Sequence, residues 1–210
     1  MDADFWRKRW EACEIGFHED EANELLVAHW GALGTEPGDR VFVPLCGKTR
    51  DIAWLLSRGH RVAGAELSEI AVRQLFDELG CAPETVVDGS LVKFSAENVE
   101  IFVGDIFELT AERLGPVEAV YDRAATVALP HDMRTRYATH LRSLTQRAPQ
   151  FVICFEYDQS ALEGPPFSVN EAEMERLHAG DYALSKIAER PVAGGLKGRC
   201  PASEAAWLLT

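Results

Sequence analysis

The chain has 210 residues, enough for one α/β domain with a sizeable core and short for two. Its 34 acids outnumber its 21 lysines and arginines, leaving a net charge of −13. So acidic a surface repels phosphate backbones and anionic membranes, which excludes nucleic acid and membrane as expected partners. No stretch approaches the ~18 apolar residues that would cross a bilayer. The five cysteines, Cys13, Cys46, Cys81, Cys154 and Cys200, are scattered without a C-x-x-C pair. That pattern predicts reduced thiols in a cytoplasmic protein and no metal site. The acidic start runs straight into Phe5-Trp6, so no signal peptide is expected.

In chain order, residues 5–13 read as a helix with Trp6 and Trp10 four apart on one face, and 21–33 as a second helix. A Gly- and Pro-rich break at 34–38 precedes the most informative stretch, 40–66. There an apolar strand (40–45) stops at Cys46-Gly47, a helix occupies 51–56 with Gly59 at its C-terminal end, and a second strand (61–66) closes on Glu66. Ser68 suits the N-cap of a helix over 70–79, and 80–90 reads as a loop. Residues 91–94 and 99–103 pattern as a hairpin, 117–121 as a strand, and Pro130 opens a further helix. The unbroken apolar run 150–155 is expected to be a buried central strand. Asn170 with Glu173 starts a capping-box-like helix, and 183–192 with 205–209 form a closing antiparallel pair. The predicted fold is one domain, 1–210: a doubly wound, mostly parallel Rossmann-like α/β sheet with an antiparallel terminal strand. Residues 1–34 would be a helical cap over its ligand edge.

In such a unit a ligand sits at the carboxyl ends of the strands, beside the first helix. Glu66 lies 21 residues after Leu45, close to the ~20-residue offset at which an acid reaches ribose hydroxyls. The turn Pro44-Leu45-Cys46-Gly47 has one glycine where a pyrophosphate-binding turn has three, which argues against NAD and FAD. A nucleoside without phosphates fits better, S-adenosylmethionine (SAM) being the common one. A structural acid that merely ends a strand is the alternative at this point.

Further motifs sharpen the reading. Phe5-Trp6-Arg7-Lys8-Arg9-Trp10 precedes Ile15-Gly16-Phe17-His18, and Val43-Pro44-Leu45-Cys46-Gly47-Lys48 is followed by Asp51. Gly59-His60-Arg61-Val62 leads to Glu66-Leu67-Ser68, and Asp105-Ile106-Phe107, Tyr121-Asp122-Arg123-Ala124, Tyr157-Asp158 and Gly164-Pro165-Pro166-Phe167 follow in order. Together these resemble the thiopurine S-methyltransferase family of SAM-dependent methyltransferases, of bacterial type, over most of residues 5–180. The resemblance implies a Rossmann-like methyltransferase fold, SAM as cofactor with S-adenosylhomocysteine as product, and no metal. It implies that Leu45 lies against the methionine part of SAM, that Glu66 takes the ribose hydroxyls, and that Asp105 and Ile106 border adenine. Trp6 and Trp10 would cover the cofactor, a sulfonium being held by an aromatic face without competition for the methyl group. Arg123 would reach both cofactor and substrate, orienting a thiolate, and Phe17 would be an apolar wall for a flat acceptor.

The expected reaction is methyl transfer to the thiol of a small aromatic or heterocyclic compound such as a thiopurine, by a monomer and without a dedicated base. Selenium or tellurium compounds, another small thiol, or a non-catalytic SAM-binding role are the alternatives. Cys46 reads as a small structural residue, since no histidine is paired with it and methyl displacement needs no protein nucleophile. His18, His131 and His140 read as surface or packing residues. Arg190 is a candidate second cation facing the substrate, an ion pair with Asp122 or another acid is the competing role for Arg123, and 192–203 matches the family least.

Overall fold

The inner strands are apolar at successive positions, and successive side chains point to opposite faces, so both faces of the sheet need cover. The computed structural model describes residues 3–16 and 18–210. Its strands are β1 (Arg40–Pro44), β2 (Arg61–Glu66), β3 (Glu84–Asp88), β4 (Leu91–Ala96), β5 (Val99–Val103), β6 (Ala119–Arg123), β7 (Gln150–Tyr157), β8 (Leu184–Pro191) and β9 (Ala202–Leu209). They form one sheet in the order β3-β4-β5-β2-β1-β6-β7-β9-β8. Strands β5, β2, β1, β6 and β7 run parallel, and antiparallel pairs finish both edges. The doubly wound expectation holds, with antiparallel pairing at two edges rather than one.

The helices are α1 (Ala3–Glu11), α2 (Glu24–His29), α3 (Arg50–Ser57), α4 (Glu69–Leu79), α5 (Ala111–Leu114), α6 (His131–Leu144) and α7 (Glu171–His178). Val41, Val43 and Val62 face one way, into a core with Leu26 of α2, Ile52 and Leu55 of α3 and Leu75 of α4. Phe42, Ala63 and Val120 face the other way, against Leu114 of α5 and Tyr137 and Leu141 of α6. Val152 and Cys154 meet Met174 of α7. The sheet therefore lies between two helical layers, and its carboxyl-end edge is left for a ligand.

Four boundaries differ from the sequence expectations. The segment 80–90 is not all loop: β3 pairs antiparallel with β4. Its Val86 and Val87 are 53% and 74% exposed, so burial supplies no alternation and only the neighbour's hydrogen bonds make it a strand. The helix expected from 21 starts at Glu24, because Asn23 accepts from the Leu25 and Leu26 amides as N-cap. The strand expected from 117 starts at Ala119, and β9 begins at Ala202 instead of 205. Only half of the capping box at Asn170 forms: its Oδ1 accepts the Glu173 amide at 3.0 Å, while the Glu173 carboxylate turns to Arg134 and Arg176.

His178, at the end of α7, is buried with its Nδ1 unpartnered, and burial with the nearby Arg142 lowers its pKa to about 4. The imidazole stays neutral in the fold but protonates near 6.5 once unfolded. Its contribution is thus complete above pH 6.5 and is lost as pH falls toward 4, a loss of about 3 kcal/mol. His178→Phe is expected to flatten that part of the stability profile in urea titrations between these pH values. Parallel profiles for variant and parent would refute it.

Candidate active site

The turn after β1 is shaped by backbone conformation. Leu45 has φ 47° and Gly47 φ 52°, both left-handed, which for leucine costs about 1–2 kcal/mol. The Cys46 amide donates to Ala65 O at 3.0 Å and the Gly47 amide to Glu66 Oε2 at 2.8 Å, so β2 holds the turn in this conformation. Gly47 also fits α1: a Cβ there would lie 3.1 Å from the Trp10 ring.

Glu66 is 6% exposed, and its Oε1 accepts the Ser68 amide at 2.8 Å. Burial pushes its pKa up, against the amides of Ser68, Gly47 and Leu67. Each carboxylate oxygen has one amide donor and a second lone pair, so two further hydroxyl donors can be accepted from the cleft. This suits a ribose diol, and a turn with one glycine suits a nucleoside lacking pyrophosphate.

A cleft of about 660 Å³ opens over these strand ends. Trp6 and Trp10 of α1, Leu45, Glu66, Asp105 and Ile106 all line it. Asp105 is exposed and uses Oδ1 to accept the Phe107 amide at 3.0 Å, while Ile106 is held by His140 Nε2 donating to its carbonyl at 2.8 Å. The other flank carries Arg123, Phe155, Pro165 and Pro166. The proline loop is laced to its neighbours, with Tyr157 Oη donating to Pro166 O at 2.6 Å and the Phe167 amide to Val127 O at 2.6 Å. Phe17 lies outside the described residues.

Arg123 is at the end of β6, its side chain 9% exposed. It pairs with Glu19 at 2.6 Å and with Asp51 at 3.8 Å. Burial works against its charge, but Asp51, Tyr121, Glu19 and Glu204 raise its pKa above the ordinary value. Asp51 is fully buried and accepts from the Asn23 amide (2.7 Å), Thr49 Oγ1 (2.9 Å) and Tyr121 Oη (2.9 Å). Asn23 Nδ2 continues the chain to Glu204 Oε1 at 3.0 Å. The ion pair weighed as the competing role for Arg123 is present, with Glu19 and Asp51; Asp122 instead accepts from Thr126 and Tyr137 on the opposite face of β6.

Arg190 is also corrected. It pairs with Glu204 and Glu24 outside the cleft, because β8 is an edge strand beyond β9. Cys46 is buried and burial pushes its thiol far up, in keeping with a structural residue. His18, expected at the surface or in packing, lines the cleft, and burial lowers its pKa. The sequence reading assigned no role to Glu19, Arg9, Lys197 or the hub residue Asp51. Asp51 and Arg9 entered only as members of the motifs, without a role of their own, and nothing in the sequence marked Glu19 or Lys197. Among the described residues, no His/Cys/Asp/Glu cluster could hold a metal ion and no helix is long and apolar enough to cross a membrane.

A parallel sheet with a cleft at its carboxyl edge, and a buried acid closing the second strand, has the form of a nucleoside-binding α/β fold. The chain belongs to the thiopurine S-methyltransferase family, whose model matches residues 1–198. It is 60% identical to a thiopurine S-methyltransferase of Xanthobacter autotrophicus over 210 residues, covering 100% of this chain and 99% of that one. It is 49% identical to that of Gluconobacter oxydans over 203 residues, covering 97% and 92% of the two chains. Among solved structures, the 1,6-didemethyltoxoflavin-N1-methyltransferase of Burkholderia thailandensis, with bound S-adenosylhomocysteine, shares the fold. Its TM-score is 0.67 at 17% identity, over 99% of this chain and 86% of that one. The magnesium protoporphyrin IX methyltransferase of Synechocystis shares it at TM-score 0.66 and 16% identity, over 100% and 99%.

If Asp51 holds Arg123 by charge, the two should be energetically coupled. Asp51→Asn leaves a buried cation poorly compensated and is expected to cost at least about 3 kcal/mol. The double variant with Arg123→Met should lose less than the sum, by at least about 1 kcal/mol, in urea unfolding. Strictly additive losses would show that Asp51 serves only its amide and hydroxyl donors.

Proposed function

We propose that this protein transfers the methyl group of SAM to the thiol of a small aromatic or heterocyclic acceptor, a thiopurine being the type. One observation carries the reading: a buried carboxylate held by backbone amides and a buried guanidinium line the same cleft, at the ends of β2 and β6. In this reading Glu66 accepts the ribose hydroxyls, Asp105 and Ile106 border adenine, and Leu45 with its turn lies along the methionine part. Trp6 and Trp10 cover the cofactor, and residues 1–34 act as a cap. When bound, SAM supplies a methyl group already activated on a sulfonium. The chain then has to align the acceptor, exclude water and keep the sulfur ionised.

Arg123 suits the last task, since a fixed positive charge lowers the pKa of a nearby thiol. Phe155, Pro165 and Pro166 offer a flat apolar slot beside it. A thiol already ionised near neutral pH needs no base. The reading extends to a monomeric cytoplasmic enzyme that binds neither nucleic acid nor membrane, which the net charge of −13 supports.

Purified protein is expected to move radiolabelled methyl from SAM to a thiopurine thiol, and failure with every thiol tested would remove the reading. Glu66→Ala is expected to weaken SAM binding by about 1.5–3 kcal/mol in calorimetry. Because burial raises the Glu66 pKa, the parent's affinity should fall on acidification as the carboxylate takes up a proton and loses an acceptor. Glu66→Gln should bind SAM weakly at every pH, and a parent profile no steeper than the variant's would move the ribose contact elsewhere. Arg123→Met is expected to shift the pH of half-maximal turnover upward under saturating SAM, because the bound thiol becomes harder to ionise. An unmoved profile with lowered SAM affinity would assign Arg123 to the cofactor alone.

A further inference from the structure

The chain as a whole is strongly acidic, yet its cleft is not. Five cations line it, Arg9, Lys48, Arg123, Arg136 and Lys197, against three acids, Glu19, Glu66 and Asp105. Lys48 is answered by Glu78 at 2.7 Å, Arg123 by Glu19, and Arg136 lies 3.7 Å over the Phe107 ring. Arg9 and Lys197 meet no carboxylate among the described residues. Arg9 lies over the Phe5 ring at 4.8 Å with its Nε buried and unpartnered. The charged groups facing Lys197 are Arg9 and Arg199, with no acid among them, and burial and these cations lower its pKa.

Lys197 is also held in place. Within the turn that carries it, the Leu196 amide donates to Cys200 O at 2.8 Å and the Arg199 amide to Leu196 O at 3.0 Å. Leu196 and Cys200 are buried against Tyr157. A Cβ on Gly195 would lie 2.4 Å from Cys200 O, so only glycine closes the turn. Lys197 Nζ donates to Pro165 O at 2.6 Å, which fixes the ammonium on the proline wall. That wall is the loop after β7, tied back to the strand by Tyr157 Oη on Pro166 O, and β7 lies three strand positions from β2 in the sheet, about 14 Å at ~4.8 Å per strand. Two cations that line one cleft, neither in a salt bridge among the described residues, are set up to receive an anion from outside.

We infer that Arg9 and Lys197 form a carboxylate subsite for the methyl acceptor, so that the preferred acceptor is an aromatic thiol bearing a ring carboxylate. The inference rests on the assignment of the Arg123 flank to the acceptor. It gives the turn from 192–203 a function: it brings a cation over the slot that α1 closes from the other side.

The test is calorimetric and does not depend on turnover. Full-length protein saturated with S-adenosylhomocysteine is titrated with 3-(methylthio)benzoate and with its methyl ester. The acid is expected to bind at least about 10-fold more tightly, the worth of hydrogen bonds to a charged group. That gap should close to within about threefold in Lys197→Met and, independently, in Arg9→Met, which lies on a separate helix should the turn variant fail to fold. Equal binding of acid and ester overturns the inference, as does an undiminished gap in the variants. A loss of S-adenosylhomocysteine affinity larger than the loss for the acid also overturns it, since the cations would then hold the donor's carboxylate. Methylation of 3-mercaptobenzoate in the same preparations reports separately on the reaction. An acid that binds through Lys197 but is never methylated would leave the subsite standing and remove the methyl transfer.

Discussion

The site depends on keeping one carboxylate out of water. Glu66 is buried at the end of β2, and its two oxygens bind the turn after β1 and the first turn of α4 through backbone amides. Its own carbonyl accepts the Gly104 amide at 2.9 Å, which ties in the end of β5. Three strand ends are thus fixed relative to one charge. Removing a carboxylate from water is costly unless its lone pairs are satisfied. Two amides satisfy part of that demand, and the cleft side leaves room for a ligand's hydroxyls to satisfy more.

A second buried charge balances the first across the cleft. Asp51 and Glu19 compensate the buried charge of Arg123, and Asp51 in turn is satisfied by donors from the N-cap of α2, the N-cap of α3 and Tyr121 on β6. The guanidinium is therefore positioned by three elements at once, with little freedom to swing. A displaced residue in this network would move Arg123 relative to the cleft even though it touches no ligand itself.

Conformational constraint concentrates at the same edge. Leu45 and Ala124 are left-handed immediately after β1 and β6, with φ 47° and 66°. Each costs about 1–2 kcal/mol for a residue with a Cβ. Both follow strand ends that carry cleft residues, where the surrounding hydrogen bonds over-determine the backbone. The apolar sheet beneath is closely packed and supplies the rigidity that these turns need.

Much of this was readable in the chain itself. Local signals such as Cys46-Gly47, the offset from Leu45 to Glu66, Ser68 and Pro130 placed β1, α3, β2, α4 and α6, because strand alternation and capping act over a few residues. The family resemblance, carried by motifs along the chain, pointed to Trp6, Trp10, Asp105, Ile106 and Arg123, which the structure gathers around one cleft. Other features depend on distant partners. β3 is a strand only because β4 runs beside it, and Arg190 left the cleft only because β8 is placed outside β9. Asp51 became a hub through residues 28 and 70 positions away in sequence. Arg9 of α1 and Lys197, near the other end of the chain, come to line the same cleft. Hydrogen bonding and charge at long sequence separation follow from the packed fold, and no spacing along the chain encodes them.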